Sequence, residues 1–179
     1  MTQNKKPKTK RTRSRNTSQA KLPPINRSAA DRVLNFFPEV LRHSKGKMAG
    51  KPFELLPWQK KVLSEMFGRL KPDGTRLRRV GYVEVPKKQG KSTLMAGVAL
   101  YLLVADQEQA AEIFSCGSDR EQASIIFRQT VEMVKASPWL ADVCEVIESR
   151  KTILVRSTNS FYRVLSADAF RAEGLVAAL

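Results

Sequence analysis

The chain has 179 residues, 42% of them hydrophobic, and a formal net charge of +15. That is enough apolar material for one domain with a buried core, and no apolar run approaches the ~20 residues needed to span a bilayer. A single histidine, His43, and two widely separated cysteines, Cys116 and Cys144, exclude histidine-rich and cysteine-cluster metal sites.

The charge is unevenly spread. Lys5, Lys6, Lys8, Lys10, Arg11, Arg13, Arg15, Lys21 and Arg27 all precede the first acidic residue, Asp31. They are interleaved with Thr, Ser, Asn, Gln and Pro, which cannot build a core, so residues 1–27 are expected to form a disordered basic arm. Such an arm binds phosphate polyanions by releasing counterions, without reading sequence; the alternative is a solubilising tail that touches nothing. Subtracting those nine charges from +15 leaves the remainder at +6, still the balance of a nucleic-acid partner. The basic start has no apolar segment behind it, so no secretory leader is visible.

Residues 28–179 read as one folded unit. A helix capped by Ser28 or Asp31 is expected to run through Arg42, with Val33, Leu34, Phe37, Val40 and Leu41 on its apolar face and Pro38 interrupting it. His43 falls in the basic loop that follows, as a solvated side chain. Pro57 suits a first helical turn, and that helix should continue to about Leu70 with Leu63 and Phe67 on one face. Lys71, Pro72, Asp73, Gly74 and Thr75 form a turn, and the basic cluster Arg76, Arg78, Arg79 leads into an apolar run at residues 80–85 that reads as a buried strand.

The most informative stretch follows: Val85, Pro86, Lys87, Lys88, Gln89, Gly90, Lys91, Ser92, Thr93, then helix formers from Leu94 to Leu103. Strand, tight loop with Gly-Lys-Ser, then helix is the context of a nucleoside-triphosphate loop. Backbone N–H groups and the helix dipole would face phosphate oxygens. Lys91 would reach the β- and γ-phosphates of ATP, and the Ser92 hydroxyl would ligate Mg²⁺. The blander readings make Lys91 a solvated helix-start lysine, Ser92 a capping hydroxyl, and Lys87 and Lys88 solvated charges. The general pattern carries a further glycine where this chain has Val85, which removes φ > 0 freedom at the loop entrance.

Downstream, residues 112–116 read as a second buried strand that also encloses Cys116, and Cys144 reads as a second buried thiol. Ser118 or Asp119 caps a helix from about Arg120 to Lys135, with Ala123, Ile126, Phe127, Val131 and Val134 at helical spacing. Ser137, Pro138 and Trp139 end it, and residues 143–147, 153–156 and 161–165 are strand candidates. The alternation implies an α/β fold: a three-layer P-loop NTPase core with a parallel sheet.

Four segments in order resemble one family, the large subunit of the tailed-bacteriophage terminase, an ATP-driven DNA-packaging motor. Phe53, Glu54, Leu55, Leu56, Pro57, Trp58 and Gln59 resemble its glutamine motif; by that resemblance Gln59 bonds the adenine edge, with Pro57 and Trp58 shaping the pocket wall. Gln59 could equally face water from a first helical turn. Residues 85–93 are similar to the family's variant phosphate loop, in which Pro and basic residues replace the first glycine, so Pro86, Lys87, Lys88, Gln89, Gly90, Lys91, Ser92 and Thr93 are the expected nucleotide contacts. The third segment is Ser118 to Ala123; the fourth is Leu165, Ser166, Ala167, Asp168, Ala169, then Glu173, Gly174, Leu175. Arg120 begins a helix just past a strand end and is a candidate arginine finger towards a neighbouring subunit in a ring, or else pairs locally with Asp119 or Glu121.

The resemblance also implies a Walker B strand ending in Asp-Glu, a coupling segment and a nuclease domain. None of these is found before Leu179, so the core is expected to be incomplete at its C-terminus, binding ATP with Mg²⁺ but hydrolysing it poorly. The implied partners are double-stranded DNA, the small terminase subunit and the portal, with a ring homo-oligomer for the full-length protein and no membrane. The implied setting is the host bacterial cytoplasm, transiently at the procapsid. Two alternatives stay open: a superfamily-2 helicase-like ATPase fragment, against which Val85 argues, and a non-enzymatic basic DNA-binding module whose Gly-Lys-Ser is incidental.

Overall fold

The computed structural model describes residues 22–167. The chain begins with α1 (Arg27–Val40), capped by Asn26, whose Oδ1 accepts the Ala29 N–H at 3.0 Å. The cap therefore lies upstream of both Ser28 and Asp31, because Asn26 is the last residue with extended backbone and a side-chain acceptor. Folded structure accordingly reaches back into the segment expected to be arm: the Asn26 N–H donates to the Gly68 carbonyl at 2.7 Å, and Arg69 donates to the Pro23 carbonyl. Pro38 sits in the last turn of α1, and the Arg42 guanidinium donates to its carbonyl at 2.8 Å.

Helix α2 (Pro57–Gly68) starts with Pro57 in its first turn, where the missing N–H has no intrahelical role. It ends two residues before the expected Leu70. The 71–75 turn closes through the Gly74 N–H to the Lys71 carbonyl at 2.9 Å, with Gly74 at φ +81°. Arg76 lies over the Phe67 ring, 4.5 Å from its centroid, and pairs with Asp106, tying this connection to the far end of α3 (Lys91–Val104).

Strands β1 (Glu112–Gly117), β2 (Glu145–Ile147), β3 (Thr152–Val155) and β4 (Ser160–Ser166) form one sheet in the order β1-β4-β3-β2. Only β1 and β4 run parallel, with Glu112 opposite Phe161 and Gly117 opposite Ser166; β2–β3 and β3–β4 are antiparallel. The sheet is thus mixed: the last three strands follow one another through short connections, which allow only antiparallel neighbours. Between β1 and β2 lie α4 (Arg120–Ala136) and α5 (Pro138–Val143), the latter opening on Pro138 where the sequence suggests only a helix end.

Helices α3 and α4 pack on β1 and β4 and on each other, while α1 packs on α2 and touches α3. The core joins Val33, Phe37 and Leu41 to Leu94, Leu100 and Tyr101 of α3, and these to Phe127, Val131 and Val134 of α4 and Ile153, Tyr162 and Val164 of the sheet. Phe37 meets Phe53 edge-on at 5.3 Å, and Tyr101 receives Phe36 and Phe67 in the same manner at 5.4 and 5.3 Å. Helix α3 is thus held at Tyr101 by two aromatic contacts and by its packing on β1, β4 and α4.

Residues 80–85 differ from the expectation. They carry no strand pairing among the described residues, and Val80 and Tyr82 are 70% and 88% exposed. A strand needs a neighbour for its backbone groups as well as apolar side chains, and none of β1–β4 lies beside this run. Cys144 is buried, which pushes its thiol up to about 11, but Cys116 near the end of β1 is exposed rather than enclosed. Among the described residues no helix is long and apolar enough to cross a membrane.

Candidate functional site

The loop between residue 86 and α3 turns on two left-handed residues, Lys88 at φ +68° and Gly90 at φ +77°. Gly90 supplies that conformation without a Cβ penalty, and Lys88 adopts it despite one. Val85 is not among the positive-φ residues, so this loop has no conformational need for a glycine at its entrance. The departure from the general pattern is accommodated three residues later.

Gly90 is also the N-cap of α3, and it contributes no side-chain acceptor. The first intrahelical bond runs from the Leu94 N–H to the Gly90 carbonyl at 2.9 Å, so the N–H groups of Lys91, Ser92 and Thr93 have no acceptor within the helix. Aligned peptide dipoles place about half a positive charge there. Around this point Pro86, Lys87, Lys88, Gln89, Lys91 and Ser92 are exposed, while Gly90 and Thr93 are half-buried. Open N–H donors, a helix dipole, three lysines and an exposed hydroxyl are a donor set that fits a polyphosphate and its divalent cation.

Gln59 is held differently from a side chain facing solvent. It is 2% exposed, and its Oε1 accepts the Leu56 N–H at 2.9 Å, fastening the start of α2. Its Nε2 lies 3.5 Å from where a Cβ on Gly90 would stand. Gln59 therefore stands behind the phosphate loop, and only its Nε2 end is left for the adenine contact that the resemblance implies.

The second half of the site grows from the end of β1. Gly117 lies against the first turn of α4 so closely that a Cβ there would stand 2.4 Å from the Ala123 nitrogen. Asp119 caps α4: its carboxylate accepts the Gln122 N–H at 2.8 Å and the Ser118 hydroxyl at 3.0 Å. Those two bonds, the backbone one first, hold the carboxyl below the ordinary aspartate range. A depressed folded-state value means that the cap's contribution is complete above the unfolded pKa and is lost as pH falls through the folded one. Asp119→Asn keeps a capping acceptor without the charge. The difference in thermal stability between the natural chain and this variant is therefore expected to shrink below about pH 4, read by melts across a pH series.

Arg120 is exposed at the start of α4, and among the described residues its guanidinium pairs with neither Asp119 nor Glu121. Its carbonyl instead receives the Ser124 hydroxyl at 2.8 Å and the Lys151 ammonium at 3.3 Å. From α4, Gln129 reaches the first turn of α3, where its Nε2 donates to Thr93 Oγ1 at 2.6 Å. Sequence reasoning missed it, because a polar residue on the margin of an amphipathic helix carries no signal of its partner 36 positions away. The fourth family-like segment lies mostly outside the described residues: Leu165 and Ser166 end β4, whereas Asp168, Ala169 and Glu173 to Leu175 fall beyond them.

A sheet of mixed strand direction with helices packed on it, and a glycine turn that opens the lysine-bearing start of α3, make an α/β core. The model of the terminase large subunit ATPase domain family matches residues 57–176. The chain belongs to that family. It is 32% identical over 146 residues to the terminase large subunit of Enterobacteria phage HK97, covering 81% of this chain and 28% of that protein. The crystal structure of the HK97 bacteriophage large terminase superposes with a TM-score of 0.68 at 30% identity, over 78% of this chain and 27% of that one. The chain thus spans little more than a quarter of the length of these relatives.

Proposed function

We propose that this chain is the nucleotide-binding part of a viral DNA-packaging motor, and that it holds Mg²⁺·ATP at the N-terminus of α3. The observation that carries this reading is the junction at Gly90: a left-handed, side-chain-free cap that opens three backbone donors beside Lys91 and Ser92. Lys91 balances the charge of the terminal phosphates, the Ser92 hydroxyl holds the cation, and Lys87, Lys88 and Gln89 line the outer wall with Pro86. Thr93 secures the first turn from its half-buried side, and Gln59 braces the loop through Gly90. When bound, ATP supplies the phosphoryl group whose transfer releases the energy for movement; everything else described concerns binding and orientation by this chain's own residues.

The whole motor's work belongs to the same proposal: translocation of double-stranded DNA into a procapsid in the host bacterial cytoplasm, in a ring with the small subunit and portal. In such a ring Arg120, exposed and without an ion pair among the described residues, is the side chain available to a neighbour's nucleotide. Membership of the family and the HK97 likeness support this over the helicase-like alternative.

Titration of a fluorescent ATP analogue, with and without Mg²⁺, tests the reading. Saturable binding that tightens with Mg²⁺ in the natural chain, and loses that Mg²⁺ response in Ser92→Ala, is the expected outcome. Binding that ignores both the cation and the substitution would remove Ser92 from the site.

A further inference from the structure

We infer that Gln129 is a positioning residue for the nucleotide site, clamping the first turn of α3 from the neighbouring helix. The inference rests on the nucleotide-site reading above and adds to it a residue outside every expected motif.

The first turn of a helix is its weakest part, and a side chain at the N-cap usually fastens it. Gly90 cannot do so, because the loop needs its left-handed backbone and open donors. The fastening comes from α4 instead, through Gln129 Nε2 to Thr93 Oγ1 at 2.6 Å. Thr93 is the third residue of α3, within the same turn as Lys91 and Ser92. Gln129 is itself held, since Phe127 and Thr130 beside it are 5% and 0% exposed and Asp119 caps the helix. A single bond thus joins a fixed helix to the turn whose orientation decides where the Ser92 hydroxyl and Lys91 ammonium point. Arg120 stands nine residues earlier on α4, about 13 Å away along the axis, so the same helix carries both the clamp and the candidate finger.

The test is a double-mutant cycle on the full 179-residue chain, read as affinity for the fluorescent ATP analogue and as the Mg²⁺ concentration at half-maximal binding. Gln129→Met matches the side-chain volume without the donor and serves where Gln129→Ala is poorly folded; Thr93→Val removes the acceptor. Each single variant is expected to weaken binding about three- to tenfold, the worth of one hydrogen bond, and to raise the Mg²⁺ requirement. The double variant should be no worse than the weaker single one. Packing damage elsewhere would lower the melting temperature without shifting the Mg²⁺ midpoint. Wild-type affinity in both Gln129 variants, or losses that multiply in the double variant, overturns the clamp. Lys91→Ala separates the two levels: if it abolishes binding while the Gln129 variants bind normally, only the clamp falls. If it leaves binding intact, the nucleotide site falls with it.

Discussion

Lys91→Ala is expected to weaken ATP binding by about 10- to 100-fold while leaving the fold intact. The size follows from the kind of contact. A hydrogen bond to a charged group is worth about 1.5–3 kcal/mol, and each 1.4 kcal/mol is a factor of ten in affinity. The intact fold follows from what Lys91 does without a ligand. It is exposed, it forms no ion pair among the described residues, and its positive charge sits at the positive end of the α3 dipole. Alanine is the better helix former, so the melting temperature without nucleotide should hold or rise slightly. A residue that is mildly unfavourable for its own helix is explained by a ligand that needs it. Equal affinity in the natural chain and the variant, by titration at matched Mg²⁺, would withdraw the phosphate-lysine role.

Local physics made much of the fold legible. Helix α4 announces itself through Asp119 and the spacing of Ala123, Phe127 and Val131, and its observed start, Arg120, is where the cap requires. Strands β2, β3 and β4 fall within or close to the expected apolar runs because short turns and apolar composition are local facts, although Val143 of the first run belongs to α5. Two features of the fold escaped because they depend on a partner. Residues 80–85 have strand composition but no neighbouring strand among the described residues, so propensity alone did not make them one. Asn26 outranked Ser28 and Asp31 as a cap once its backbone was held by the Gly68 carbonyl, a contact between segments 42 residues apart. The candidate site divides in the same way. Gly90, Lys91 and Ser92 of the candidate site are contiguous in the sequence, whereas Gln129 comes beside Thr93 only when α4 has packed on α3.

The packing of α4 on the sheet yields the second large effect. Gly117→Ala is expected to destabilise the chain by about 1–3 kcal/mol, a drop of roughly 2–12 °C in melting temperature. The added Cβ would stand 2.4 Å from the Ala123 nitrogen, 2.8 Å from its Cα and 3.0 Å from the Gln122 carbonyl carbon. All three are backbone atoms of the first turns of α4, so no rotamer change relieves the contact and the helix itself must move. Gly97→Ala offers the useful contrast: its Cβ would meet the Phe37 ring edge at 2.5 Å, a side chain, and the substitution gains helix propensity of about 1 kcal/mol. Gly117 sits on a strand and has no such compensation. Thermal melts of the two variants should therefore rank Gly117→Ala below Gly97→Ala. The displacement has a functional reading as well, because moving α4 away from β1 carries Gln129 with it. Weakened ATP binding in Gly117→Ala, with Lys91 and Ser92 untouched, would show that the phosphate-binding turn depends on how closely the end of β1 and the start of α4 can approach.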